Sequence, residues 1–129
     1  MDDSRPADNR SRIESVLDAE RADLEHSAER TRAERDDVRD GRADASADDE
    51  HDPEGSTLSS EWSRIEGIRR GLSARLKENM QAMARLTAGT YGLCTRCAGK
   101  IGAARLTARP SAGLCIDCAR ELEREKSGA

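Results

Sequence analysis

Four cysteines give this sequence its clearest chemistry, and they come in two pairs. Cys94 and Cys97 are separated by two residues, as are Cys115 and Cys118, and 17 residues lie between the pairs. The short spacing lets one turn of chain direct two sulfurs at a single ion, and two such turns supply four thiolates at tetrahedral corners. The sequence therefore predicts one zinc ion bound by Cys94, Cys97, Cys115 and Cys118.

Four thiolates would close the coordination shell of zinc, whereas a catalytic zinc keeps one position for water. We therefore expect the zinc to be structural. Two alternatives use the same residue type. An iron–sulfur cluster also takes four cysteines, and a pair of thioredoxin-like redox motifs would need a βαβ context that the sequence lacks.

The composition limits what can surround such a site. Of the 129 residues, 37% are charged, and Trp62 and Tyr91 are the only aromatic side chains. A chain of this kind cannot fill a large globular core. An elongated helical assembly with a narrow apolar seam, combined with a small domain held together by metal, satisfies this limit.

The charge is divided unevenly along the chain. Residues 1–55 contain 9 arginines and 19 acidic residues, which gives a net charge of −10, whereas residues 56–129 have a net charge of +6. The opposite signs suggest a partner that is steered electrostatically. Two solvated helix faces would explain the same pattern without a partner.

Two long helices should precede the cysteines. We read residues 1–10 as a disordered lead, and from Ser11 onward Leu17, Leu24, Thr31 and Val38 recur every seven residues. Glu20, Ser27 and Arg35 occupy seam positions where a strong coiled coil would have leucine. The second helix should begin near Thr57 or Ser59. Its predicted seam is Leu58, Trp62, Ile65, Leu72, Leu76, Met83 and Leu86, with Ile68 and Met80 at the edge.

The segment between these helices is rich in acidic residues and proline, and it predicts a turn at 41–57 that begins at Gly41. Each helix would have about 30 residues and a length of roughly 45 Å. The predicted fold is mainly α: an antiparallel coiled-coil hairpin over 11–88, with a four-cysteine zinc finger at its base. The finger would occupy 89–126 and end in a short C-terminal helix.

The segment from Tyr91 to Glu123 resembles the zinc-finger signature of the DksA/TraR family of bacterial transcription regulators. The resemblance lies in Tyr91-Gly92 before Cys94, in Ile101, Arg105-Leu106, Ala108 and Pro110, and in Cys115 and Cys118 before a glutamate-rich tail. It covers about a quarter of the chain, and the charged hairpin with an acidic tip agrees with the family architecture.

The resemblance implies a factor that binds RNA polymerase rather than DNA. In this family the hairpin enters the secondary channel of the polymerase, and its acidic tip approaches the active centre. The tip candidates here are Asp44, Asp48 and Asp49, although the family's Asp-x-x-Asp-x-Ala motif is absent. Some members of the family cooperate with a nucleotide alarmone, and the sequence leaves that dependence open. A second departure is Ala98, where the family usually has glycine after the second cysteine.

Two other functions compete with this interpretation. Arg96, Lys100, Arg105 and Arg109 could contact phosphates, which would make the chain a zinc ribbon that binds nucleic acid directly. An enzyme is less favoured, because the sequence shows neither a nucleophile paired with a base nor a phosphate-binding loop. The polar start and the lack of long apolar runs predict a cytoplasmic location without membrane attachment.

Overall fold

The computed structural model describes the backbone of residues 6–48 and 53–128, and the side chains of residues 8–41 and 57–128. Four helices follow one another: α1 (Pro6–Asp48), α2 (Pro53–Ala88), α3 (Ala103–Ala108) and α4 (Ile116–Ser127). An isolated antiparallel β-bridge joins Leu93 to Lys100. Among the described residues, no helix is both long and apolar enough to cross a membrane. The predicted fold class, a mainly α antiparallel hairpin with a four-cysteine finger, is confirmed.

Both long helices extend further than predicted. α1 begins at Pro6 rather than Ser11, so the disordered lead predicted for 1–10 is too long, and residues 1–5 lie outside the described part of the chain. Proline suits the first turn of a helix because it has no N–H group to leave unpaired, and Asp8 favours the positive end of the helix. The same argument explains why α2 begins at Pro53 rather than near Thr57.

The predicted turn at 41–57 is wrong in its boundaries, because α1 continues through Gly41 to Asp48. Gly41 lies inside α1, and a Cβ atom there would be at an ordinary contact distance of 3.7 Å from Leu58 Cδ2, so this glycine does not mark the chain reversal. Alanines at 43, 45 and 47 then favour helix by their intrinsic propensity. Residues 49–52 lie outside the described part of the chain.

The chain divides into two compact units, of which one comprises Ala22–Leu76. In this unit Leu24, Val38 and Ile65 are buried, together with Thr31. Arg35 of α1 forms an ion pair with Glu66 of α2 at 3.1 Å, and its guanidinium carbon lies 5.3 Å from the centre of the Trp62 ring. An arginine can occupy a seam position here because both its charge and its planar face have partners.

The other unit comprises Met1–Arg21 and Lys77–Ala129. Leu17 of α1 clusters with Ala82 and Leu86 of α2, and Ile13, Met83 and Tyr91 pack against this cluster. A second cluster lies in the finger and consists of Cys94, Ile101, Ala112 and Cys118, with Leu106, Leu114 and Cys115 around it. The finger core is therefore small, and two of its four buried members are cysteines.

The predicted seam of α1 is confirmed, because Leu17, Leu24, Thr31 and Val38 are all buried. Ile68 and Met80 are exposed, as expected for edge positions of α2. The α2 seam also contains two buried residues that the apolar pattern missed, Asn79 and Ala82. Asn79 lies three residues after Leu76 and four before Met83, so the alternating spacing reaches it even though its side chain is polar.

Candidate metal centre

The four cysteine sulfurs lie together, all within 4.8 Å of one another. Cys97 Sγ and Cys115 Sγ are 3.9 Å apart, which joins the two pairs. A tetrahedral site with Zn–S bonds of about 2.3 Å has sulfur–sulfur edges of about 3.8 Å. The donor set and its spacing therefore fit one zinc ion, and the cysteines are positioned to bind it.

The first pair lies in a tight turn that is closed by backbone hydrogen bonds. The Cys94 N–H donates to the Gly99 carbonyl at 2.7 Å, and the Ala98 N–H donates to the Cys94 carbonyl at 2.9 Å. Backbone N–H groups of Arg96 and Gly99 also point at the sulfurs of Cys94 and Cys97, each at 3.4 Å. These donors stabilise negative charge on the two sulfurs, as metal-bound thiolates require.

Ala98 adopts a positive φ of 64°, in the left-handed region. Residues with a Cβ atom pay a steric cost in this conformation, and glycine does not. The family to which the finger is similar usually has glycine at this position. The backbone conformation of Ala98 is therefore one that favours the glycine it replaces. The turn keeps its geometry and carries some strain.

The second pair lies at the start of α4. Cys115 is the N-cap residue of this helix, and its sulfur accepts a hydrogen bond from the Cys118 N–H at 3.4 Å. The N-terminus of a helix carries partial positive charge, which favours the thiolate form of nearby cysteines. The short C-terminal helix predicted after Cys118 is present, but it begins at Ile116 and therefore includes Cys118.

Cys94 and Cys118 differ in their tendency to ionise. Burial opposes ionisation of Cys94, yet backbone hydrogen bonds from Cys115, Cys97 and Arg96, with a side-chain bond to Cys118, lower its pKa to about 6. The hydrogen bond between Cys118 and Cys115, followed by burial, raises the pKa of Cys118 well above its ordinary value. Zinc binds cysteines as thiolates, so metal binding must displace the protons that the thiols carry.

Three contacts tie the finger to its surroundings and to itself. The Tyr91 hydroxyl donates to the Pro110 carbonyl at 2.7 Å, and burial raises the pKa of this tyrosine. Arg85 of α2 donates to the Ala112 carbonyl at 3.3 Å. The Thr95 N–H donates to the Gly113 carbonyl at 2.8 Å, which links the two cysteine turns directly.

The basic residues proposed for nucleic-acid contact are largely engaged inside the chain. Arg96 forms an ion pair with Glu125, and Arg109 forms one with Glu78 at 3.4 Å. Arg105 Nε donates to the Leu114 carbonyl at 2.8 Å, next to Cys115. In the described part of the chain, the Lys100 side chain alone among these four lacks such a contact. The arrangement gives little support to a dedicated phosphate-binding stripe.

Positive charge nevertheless lines one cleft, with a volume of about 940 Å³, between α2, the finger and α4. The basic side chains in its lining are those of Arg85, Arg105, Arg109, Arg120, Arg124 and Lys126. The predicted tip residues are not brought into any site that can be described. Asp44 and Asp48 belong to α1 but their side chains are outside the described residues, and Asp49 is outside them entirely.

A buried polar cluster near the finger was missed by sequence reasoning. Asn79 Nδ2 donates to the Leu17 carbonyl at 2.9 Å and to Glu20 Oε1 at 2.8 Å, and the Ser111 hydroxyl donates to the same carboxylate oxygen. A polar residue at an α2 seam position, facing a glutamate at an α1 seam position, was the available signal. The contribution of Ser111 could not be read from spacing, because 90 residues separate it from Glu20.

Known proteins share features with this chain. Residues 89–124 match the prokaryotic dksA/traR C4-type zinc finger. A protein of Aquifex aeolicus is 44% identical over 52 residues, covering 40% of this chain and 36% of its own length. The RNA polymerase-binding transcription factor DksA of Buchnera aphidicola is 42% identical over 55 residues, covering 42% of this chain and 36% of its own length. DksA of Haemophilus influenzae is 36% identical over 80 residues, or 60% of this chain and 55% of that protein.

The matched regions thus span between about a third and just over half of the relatives' own lengths. The structure of transcription factor DksA2 from Pseudomonas aeruginosa matches over 98% of this chain and 93% of its own, with a TM-score of 0.73. At 20% identity this likeness establishes the shared fold. Residues 89–124 therefore form a zinc finger of the prokaryotic dksA/traR C4 type.

Proposed function

We propose that this chain is a bacterial, cytoplasmic transcription regulator that binds RNA polymerase and has no catalytic activity of its own. The observation that carries the proposal is the four-cysteine cluster within a finger of this family, next to long paired helices. Two of the relatives bear the name RNA polymerase-binding transcription factor. The partner is inferred from them.

In this proposal the acidic end of the hairpin enters the secondary channel of the polymerase. Six acidic residues lie within 44–54, among them the tip candidates Asp44, Asp48 and Asp49. A negatively charged probe would be attracted toward the magnesium-containing active centre, while the basic cleft beside α4 would favour an acidic surface of the partner. The opposite signs of charge on the two parts of the chain support this division of roles.

The zinc has a structural role in the same proposal, with Cys94, Cys97, Cys115 and Cys118 as its four ligands. Four thiolates complete a tetrahedral shell and leave no position for water or substrate. The metal would therefore hold the finger together beside the helices, and the chemistry of transcription would stay with the polymerase.

Capture of the purified zinc-loaded chain on core RNA polymerase, compared with a salt-titrated DNA mobility shift, tests the partner. We expect polymerase capture and no tight DNA binding. DNA affinity with a steep salt dependence and no capture would favour the alternative, a zinc ribbon that binds nucleic acid directly.

The tip is tested by replacing Asp44, Asp48 and Asp49 together with alanine. We expect polymerase binding to persist and the effect on transcription in vitro to disappear. A matched control removes the same charge from exposed positions elsewhere on α1, by alanine at Asp18, Asp23 and Asp37. Equal effects of the two triple variants would show that overall charge, rather than the tip, acts on the polymerase.

A further inference from the structure

Asn79 is the most deeply buried polar residue of the described chain, with 1% of its surface exposed. It occupies an α2 seam position between Leu76 and Met83, where a leucine would continue the apolar repeat. Its amide nitrogen donates hydrogen bonds to Leu17 and Glu20, but its Oδ1 atom has no hydrogen-bond partner among the described residues. An unsatisfied buried acceptor lowers stability. Packing alone therefore does not explain why this position is polar.

The partners of Asn79 come from two other parts of the chain. Leu17 and Glu20 belong to α1, and Ser111 belongs to the loop between the two cysteine pairs. Glu20 Oε1 accepts hydrogen bonds from both the Asn79 amide and the Ser111 hydroxyl, and the Ser111 oxygen lies 3.5 Å from the same amide nitrogen. One carboxylate oxygen thus joins α1, α2 and the finger.

The same contacts are sensitive to the alignment of the two helices. If α1 slid by one heptad, the seam position of Glu20 would be taken by Ile13 or Ser27, neither of which has a carboxylate. Asn79 would then remain buried and lose its charged acceptor. Apolar seam residues do not discriminate in this way, because one leucine substitutes for another after a slip.

We infer that Asn79, Glu20 and Ser111 form a polar lock that fixes the alignment of α1 against α2 and seats the finger loop on both. The lock lowers the stability of the folded chain somewhat. In return it disfavours two alternatives: a hairpin with α1 shifted along α2, and pairing of helices from two different chains. Buried asparagines in the seams of coiled coils act in this way. The role concerns how the chain assembles, and it holds whether or not polymerase is the partner.

The test compares Asn79→Leu with Met83→Leu in the full zinc-loaded chain. Amide NMR spectra reveal whether one or several sets of resonances are present, and light scattering after size exclusion gives the mass. We expect Asn79→Leu to show additional resonance sets or a dimer fraction. Met83→Leu, a change at the neighbouring seam position, should keep one set of resonances and the mass of the parent chain. A single set and an unchanged mass for Asn79→Leu would overturn the inference.

A double-mutant cycle tests the lock even if Asn79→Leu does not fold. Glu20→Ala and Ser111→Ala are made singly and together, and the unfolding equilibrium is measured in urea. Each single variant lowers the folding equilibrium constant by some factor. If the residues act as one unit, the factor for the double variant should be about fivefold smaller than the product of the two single factors. Independent losses that simply multiply would show that Ser111 is not part of the lock.

Discussion

The hydroxyl group of Tyr91 donates a 2.7 Å hydrogen bond to the backbone carbonyl of Pro110. Tyr91 lies just before the first cysteine pair and Pro110 just before the second, so one bond holds both approaches to the metal centre together. The tyrosine ring also packs against the cluster of Leu17, Ala82 and Leu86. The finger and the base of the two long helices therefore share this side chain.

Tyr91→Phe keeps the ring and removes only the hydroxyl group. We expect it to lower the free energy of unfolding by about 1 kcal/mol, because the Pro110 carbonyl, in a partly buried hydrogen bond, loses its donor. Urea unfolding of the zinc-loaded chain measures the change. Thr87→Ala is the control, since it removes a hydroxyl bond on the exposed surface of α2 and should change the free energy by less than about 0.5 kcal/mol. Equal changes would contradict the proposed role of the Tyr91 bond.

The same tyrosine should make stability sensitive to alkaline pH. Burial raises its pKa above the ordinary value of 10.0; Arg85 lowers it and Glu20 raises it to a smaller extent. A raised pKa in the folded state means that the stabilisation is fully present below pH 10 and is lost as the pH rises through the folded pKa. Tyr91→Phe should abolish that part of the alkaline decline. A decline of the same size in the variant would assign it to other groups.

Ala98→Gly should stabilise the finger, because the residue has a positive φ of 64°. Glycine removes the steric cost of the left-handed conformation, although it adds freedom to the unfolded chain. We expect a net gain of about 0.5–1 kcal/mol in the zinc-loaded chain, measured by urea unfolding. Ala84→Gly, at an exposed position within α2, should instead cost about 1 kcal/mol. Destabilisation by both changes would show that the Ala98 turn is unstrained.

The grouping of the four cysteines could be predicted from the sequence because the spacing within each pair is a local property. Cys94 with Cys97 and Cys115 with Cys118 required no knowledge of the rest of the chain. Helix ends were less predictable. Glycine commonly ends a helix, but Gly41 lies within α1, and its contact with Leu58 could not be foreseen. Within the Glu20 cluster, the contribution of Ser111 was beyond prediction for a different reason. It depends on a loop that returns to helices far away in sequence, and neither helical periodicity nor ligand spacing encodes that contact.

Removal of metal should unfold the finger. Its buried cluster contains only Cys94, Ile101, Ala112 and Cys118, so two of its four members depend on the ion. A core of this size cannot offset the conformational entropy of ordering the segment. Chelation should release about one equivalent of zinc, expose 89–126 to protease and reduce the far-UV helical signal by the contribution of α3 and α4. Retained protease resistance and an unchanged far-UV signal after metal loss would refute this expectation.

Two Arg–Glu ion pairs between α1 and α2 differ in how buried they are, so they show how burial changes the contribution of such a pair to stability. Arg35 pairs with Glu66 at 3.1 Å, and the two side chains are 28% and 19% exposed. Arg64 pairs with Glu34 at 3.7 Å, and these two side chains are 55% and 57% exposed. Arg35→Ala should cost about 1–2 kcal/mol, because Glu66 stays partly buried and the face of Trp62 loses its cation.

Arg64→Ala should cost less than about 0.5 kcal/mol, since water screens an exposed pair and takes over its hydrogen bonds. Arg69, 3.3 Å from Glu66, keeps one counter-charge in place after Arg35→Ala and limits the loss. Fluorescence of the single tryptophan, Trp62, reports unfolding of this unit directly. Equal losses for the two variants would mean that the Arg35 pair is solvated in solution and gains nothing from its position in the seam.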